Sequence, residues 1–300
     1  MTCLGQTSGE LQKAIEDVQW KLELSDIADV SKIRYTGPGR GKGLEGSMIL
    51  YAYSFLPKKR NADGKHGLVV LVHGGVHGTF ETSGPASHVS IVRELIEQGY
   101  AVVAPDYRGS AGYGAAYENA IDYGAKENDD VLLARNWMIE RHKFLDPNRV
   151  AIVGWSHGGM IALMNLLLHP EAYACAYAGV PVTDMIGRLG YQNDAYRKTM
   201  TDSIGNEARA DVMEYRKRSP IYHAGKLTKP LLIHGNTTDE TVNVYEVETM
   251  IAYLKAAGKI FESKIYEAAP GGHHFNRIDT KLARDSRQEI YEFLKRYVKP

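Results

Sequence analysis

The sequence predicts an α/β fold, with a mostly parallel central sheet, helices on both faces and a helical insertion over one end of the sheet. Three observations carry this expectation. Short, almost wholly apolar runs such as "GLVVLV", "AVVA" and "RVAIV" have the pattern of strands covered on both faces. Between them lie segments of crossover length with helical periodicity, which join parallel strands through right-handed connections. The chain has 300 residues, of which 44% are hydrophobic and 24% charged, enough to bury a full core within one α/β domain.

The elements follow in order. "ELQKAIEDVQWKLEL" reads as an amphipathic helix, so residues 1–29 are expected to form an N-terminal helical extension packed on the domain. "SKIRYTG" and "GSMILYAYSFLP" read as an antiparallel pair separated by the glycine-rich "PGRGKGLEG". "HGLVVLVHGG" is a buried strand, "HVSIVRELIEQG" a helix closed by Gly99, and "YAVVAPDYRG" the next strand. The alternation continues through helix "KENDDVLLARNWMIERHKF", strand "NRVAIVG", helix "HGGMIALMNLLLHP" and strand "YACAYAGV". "KPLLIHG", "VYEVETMIAYLKAAG", "IFESKIYE" and "RQEIYEFLKRYV" complete it as strand, helix, strand and helix. Residues 181–224 break the rhythm. They are polar, too long for a simple crossover, and are expected to form small helices over the carboxyl ends of the strands, where open α/β sheets bind ligands. A plain structural insertion is the bland alternative.

Composition narrows the function. Lys plus Arg and Asp plus Glu both number 36, so no basic excess points to a nucleic-acid backbone. With only Cys3 and Cys175, a disulfide framework is not expected. No uninterrupted apolar run approaches the roughly 20 residues of a membrane span, and the N-terminus has no signal-like apolar core. The compartment stays open.

The chemistry concentrates at strand ends. Gly154, Trp155, Ser156, His157 and Gly158 form G-x-S-x-G between a strand and a helix, the setting in which small flanking residues permit a sharp turn that lifts a serine hydroxyl above the sheet. The competing reading is a glycine-rich turn whose serine caps the helix. A serine needs a base, and the base needs an orienting group. Asp239 in "IHGNTTDETV" and His273 in "PGGHHF" each follow a strand, in the chain order of an α/β-hydrolase triad. Glu240 and His274 are the adjacent alternatives. His157 is tied too closely to the nucleophile's own helix to be the base, but its backbone N–H follows the nucleophile and is a candidate oxyanion donor. The second donor is expected from Gly75 or Val76 in "LVHGGVHG", whose glycines could otherwise simply end a strand. His73 and His77 are not expected to bind metal, and no cofactor is required. Trp155, Tyr107, Tyr113, Tyr191 and Tyr196 are candidates for an aromatic substrate pocket.

On these motifs the chain resembles the catalytic domain of the prolyl oligopeptidase family, over about residues 30–298. "VVLVHGGVHG" is similar to the family's HGGP segment, with Val76 at the proline position, and "APDYRGSAGYG" to its NYRGSTGYG signature. "DPNRVAIVGWSHGGMIAL" resembles the nucleophile segment, with His157 where tyrosine is usual. "SPIYHAGKLTKPLLIHGNTTDETV" and "PGGHHFNR" extend the match, the spacing before Asp239 being one residue longer than the commonest form. The resemblance implies Ser156 as nucleophile, Asp239 as orienting carboxylate and His273 as the histidine of the family's G-H-G-F loop, with His274 at its glycine. It also implies that Arg108 organises its loop. Oligopeptidases of the family carry a β-propeller ahead of this domain, for which these residues leave no room. The expectation is therefore a serine hydrolase of small carboxylic esters or short peptide amides, with an oligopeptidase or aminopeptidase proper as the alternative. A non-catalytic binding protein of the same fold is the rival from another class. Self-association into a homo-oligomer would be one way to restrict access.

Overall fold

The computed structural model describes residues 8–39, 46–84 and 87–300. Eight strands form one sheet: β1 (Ala28–Gly37), β2 (Met48–Pro57), β3 (His66–Val72), β4 (Ala101–Asp106), β5 (Leu145–Trp155), β6 (Cys175–Gly179), β7 (Leu231–Asn236) and β8 (Glu262–Tyr266). Their order is β1-β2-β4-β3-β5-β6-β7-β8. β1 pairs antiparallel with β2 and β2 with β4, and every other pairing is parallel. The sheet is thus mixed but largely parallel, as the runs of apolar residues and crossover helices predict. Most of the glycine-rich segment between β1 and β2 (40–45), the first residues of the N-terminal extension and Cys3 lie outside the described residues.

The helices are α1 (Ser8–Leu24), α2 (Val89–Glu97), α3 (Ala115–Glu118), α4 (Lys126–Arg141), α5 (His157–Leu168), α6 (Met185–Tyr191), α7 (Asp194–Ile204), α8 (Val212–Arg218), α9 (Val244–Ala256) and α10 (Lys281–Tyr297). β3 shows why the sheet needs cover on both sides. Leu68, Val70 and Val72 enter the core under α4, α5 and α9, while Val69 and Leu71 enter the core under α1, α2 and α10. Each fully buried aliphatic side chain contributes about 1.5–3 kcal/mol. That offsets the ~1–2 kcal/mol cost of fixing each residue's backbone, so a strand buried on both faces can hold without help from turns.

Residues 181–224 fold as α6, α7 and α8 followed by a 3₁₀ segment, Pro220–Lys226. Asp184, Asn193 and Asp211 each accept a hydrogen bond from a backbone N–H of the helix that follows. Beneath them a third apolar cluster joins Met160 and Met164 of α5 to Val182, Met185, Met200 and Val242, with Val76 packed against it. The insertion therefore shares its core with the helix that follows Ser156. Two elements depart from expectation: α3 has no counterpart in the sequence reading, and α10 starts at Lys281 rather than near Arg287 because the Thr280 hydroxyl accepts from the Ala283 N–H.

Burial also sets an acid response. His73 and His234 are buried, and desolvation of the imidazolium pulls both down to about 4 from an ordinary value of about 6.5. On acidification the unfolded chain takes up these protons first. Their contribution to stability is therefore whole above about pH 6.5 and declines progressively toward about pH 4. The urea midpoint, measured from pH 7.5 to 4.5, is expected to fall across that window. A flat profile would mean that these rings ionise as freely in the folded chain as in the unfolded one.

Candidate active site

The elbow at the end of β5 is built by lack of space. A methyl group placed on Gly154 would collide with the carbonyl oxygen of Gly158, and one on Gly158 with those of Val72 and His73. Between them Ser156 adopts φ 59° and ψ −123°, a left-handed conformation that is uncommon and costly for a non-glycine residue. The turn is held by the Ser156 N–H, which donates to Gly179 O at 2.9 Å, and by Ser156 O, which accepts from Met160 N–H at 3.0 Å. The Ser156 side chain makes no capping bond to α5. The reading of this serine as a helix cap therefore does not describe the structure.

Asp239 follows β7 and His273 follows β8, in a 3₁₀ turn over Gly272–His274. Asp239 Oδ2 lies 2.6 Å from His273 Nδ1, and Asp239 Oδ1 accepts from the N–H groups of Thr241 and Val242, both at 2.8 Å. Both carboxylate oxygens are thus engaged, and a carboxylate at this distance favours the tautomer that carries its proton on Nδ1 and its lone pair on Nε2. The neighbours are placed differently. Glu240 is exposed. The His274 ring is half-buried, its Nδ1 has no hydrogen-bond partner, and burial together with the Arg277 charge pulls it down to about 4. A residue absent from the sequence reading, Asn236, builds the histidine loop: its amide donates to Ala269 O at 3.1 Å and Gly272 O at 2.8 Å, while its oxygen accepts from Ala269 N–H at 3.1 Å.

The N–H of His157 lies in the first turn of α5, where backbone donors have no partner within the helix and the helix dipole favours negative charge. Opposite it runs the loop after β3. Tyr107 OH donates to Gly75 O at 2.9 Å and His73 O at 3.2 Å, and His73 Nδ1 lies 3.0 Å from Gly74 O. In trans peptides the N–H points away from the preceding carbonyl. With the carbonyls of Gly74 and Gly75 held by His73 and Tyr107, the N–H groups of Gly75 and Val76 point away from those two rings. Gly75, at φ 75°, makes the turn.

The side chain of His157 is buried, with Nε2 3.2 Å from Glu127 Oε1. Glu127 also accepts from the Gly124 N–H and, at 3.3 Å, from the Ala125 N–H. Glu127 sits in the polar run "KENDD", where no spacing marks it as a partner of the residue after Ser156. Arg108 is fully buried and makes a two-pronged pair with Asp130, Nε to Oδ2 and Nη2 to Oδ1 at 2.7 Å each, as its loop-organising reading requires.

The aromatic candidates divide. Trp155 and Tyr107 are buried, so they cannot wall an accessible pocket: Trp155 Nε1 donates to Asn276 Oδ1 at 3.0 Å, and Tyr107 supports the loop after β3 from behind. Tyr113 donates to Asp106 Oδ2 at 2.6 Å and stacks on Tyr51, which makes it a packing residue. Tyr191 and Tyr196 do lie in the insertion, where both accept from the guanidinium of Arg188, at 2.7 and 2.9 Å. His73 and His77 each lie within hydrogen-bond distance of a backbone carbonyl, and among the described residues no group of three or more His, Cys, Asp or Glu side chains could hold a metal ion. No helix among them is long and apolar enough to cross a membrane.

Comparison with known proteins identifies the family and the fold. The model of the prolyl oligopeptidase family matches residues 87–300. The chain is 30% identical over 240 residues to dipeptidyl peptidase 8 of Homo sapiens, covering 76% of this chain and 25% of that protein. It is 27% identical over 288 residues to the acylamino-acid-releasing enzyme of Arabidopsis thaliana, covering 91% and 35%. It therefore spans about a quarter to a third of the length of these curated relatives. The fold is similar to that of the Pyrococcus horikoshii acylaminoacyl peptidase, with a TM-score of 0.75 at 19% identity, covering 93% of this chain and 43% of that one.

Proposed function

Because the chain belongs to the prolyl oligopeptidase family, we propose that it is a serine hydrolase that cleaves short peptide amides through an acyl-enzyme on Ser156, with small esters as easier substrates of the same site. The observation that carries the proposal is the 2.6 Å contact of His273 with an Asp239 whose other oxygen is already occupied. It accompanies a serine held in a left-handed turn with no capping duty. In this reading His273 Nε2 takes the Ser156 proton as Oγ attacks the carbonyl carbon. Asp239 holds the ring and stabilises the imidazolium. The N–H of His157 and that of Gly75 or Val76 take the developing oxyanion, each such donor being worth about 10²–10³ in rate. The imidazolium then protonates the departing amine or alcohol, and water activated by the same base releases the acyl group.

The residues alone leave small esters and short peptide amides nearly balanced. Peptides come forward because two relatives are a dipeptidyl peptidase and an acylamino-acid-releasing enzyme. The test is a pair of kcat/KM values on a peptide amide and an ester with the same acyl group, with Ser156→Ala as the blank. Turnover of both above the blank is expected. Ester turnover alone would return the assignment to a carboxylesterase, and turnover of neither would contradict it.

A further inference from the structure

The helix α1 lies outside the family match, yet it sends a charge to the foot of the active site. Lys13 and Asp106 are 3% and 0% exposed, and Lys13 Nζ lies 2.6 Å from Asp106 Oδ2. Asp106 is the last residue of β4, and its carboxylate gathers the loop that follows β3. Oδ1 accepts from the Thr79 hydroxyl and the Phe80 N–H, both at 3.1 Å, and lies 3.8 Å from His73 Nε2. Oδ2 accepts from Tyr113 OH at 2.6 Å. Lys13 also donates to the Thr79 hydroxyl, and one turn further along α1 the buried Glu16 accepts from the Thr82 N–H at 2.7 Å. Burial pushes the Asp106 carboxyl up, but the Lys13 charge, the His73 ring and the hydrogen bonds from Lys13 and Tyr113 together outweigh it and leave the group below its ordinary value. The next residue, Tyr107, grips the same loop through His73 O and Gly75 O.

We propose that Lys13 is a positioning residue of the active site: by neutralising Asp106 it holds the loop 73–80, and with it the oxyanion donor at Gly75 or Val76, in register with Ser156. The inference rests on the oxyanion reading given above. Without Lys13 the buried carboxylate keeps, among the described residues, only the His73 ring at 3.8 Å as an ionisable basic neighbour within ion-pair distance, a state that proteins relieve by protonation or by rearrangement. Protonation weakens its hold on Thr79 and Phe80, and rearrangement moves the loop directly. The substrate still docks, but the donor meets the oxyanion less well.

The experiment compares Lys13→Met, Lys13→Arg and Arg93→Met in the full chain, with the ester substrate and a peptidyl trifluoromethyl ketone, which binds as a tetrahedral oxyanion adduct. Arg93 ties α2 to Asp26, just beyond α1, at 2.8 Å, so its loss loosens the seat of α1 far from Asp106. For Lys13→Met, kcat is expected to fall by about 10–10²-fold, up to the worth of one oxyanion donor, with KM changed by less than twofold. Affinity for the ketone should fall by the same factor as kcat/KM. Lys13→Arg should recover part of the loss, and Arg93→Met should lower the melting temperature while keeping kcat. If Lys13→Met does not fold, Thr79→Val removes the hydroxyl that bonds both Lys13 and Asp106 while keeping the two charges in place, and should reduce kcat in the same direction. Unchanged kcat in whichever variant folds, or an equal loss in Arg93→Met, would overturn the proposal while leaving the Ser156 reading intact. A wild-type chain without turnover would defeat both.

Discussion

Ser156→Ala is expected to lower ester turnover by on the order of 10⁶-fold, the scale on which removing a serine nucleophile acts when base and oxyanion donors are kept. Its effect on unfolding is expected to be small, within about 0.5 kcal/mol, as for substitutions that break no packing or polar network. The reason is local. The hydroxyl makes no capping bond to α5, and the left-handed turn is imposed by the crowding around Gly154 and Gly158 and by backbone bonds to Gly179 and Met160, all of which alanine retains. Kinetics with a chromogenic ester and thermal unfolding of the same preparation check the two halves. If activity and melting temperature fell together, Ser156 would be a turn residue first.

The second large effect separates two adjacent histidines. His273→Ala is expected to remove turnover on the same scale, because the ring that Asp239 orients is the proposed base, and members of such a unit act together. Asp239 would lose a partner at 2.6 Å but keep the Thr241 and Val242 N–H groups, so folding should survive. His274→Ala is expected to keep most of the activity, since that ring is half-buried and its Nδ1 has no partner. Collapse in the second variant with retention in the first would exchange their roles.

What could be read in the sequence was local or periodic. The strand 66–72 is legible because a run buried on both faces must be apolar throughout, and the elbow is legible because its geometry excludes side chains at two fixed offsets from the serine. The start of α10 was not, because it depends on the Thr280 cap rather than on apolar spacing, which is weak over 281–286. Between Asp239 and Glu240 the residues alone leave the choice open and the family resemblance favours Asp239; in the structure the two differ by the 2.6 Å contact with His273 and by the exposure of Glu240. Asn236, Glu127, Lys13 and Asp106 were not legible because the contacts that carry their roles reach residues 26 or more positions away. The aromatic pocket reading misplaced Trp155, Tyr107 and Tyr113 for a related reason: a buried indole or phenol goes where its polar end finds a partner, and those partners, Asn276, Gly75 and Asp106, are set by the fold.

The measurement closest to the central claim is active-site titration with a fluorophosphonate, followed by peptide mapping of the adduct. Reaction at one equivalent per chain, with the phosphonyl group on Ser156 and none incorporated by Ser156→Ala, is the expected result. A folded chain that takes up no label, or carries it on another residue while Ser156 stays free, would contradict the assignment of Ser156 as the nucleophile.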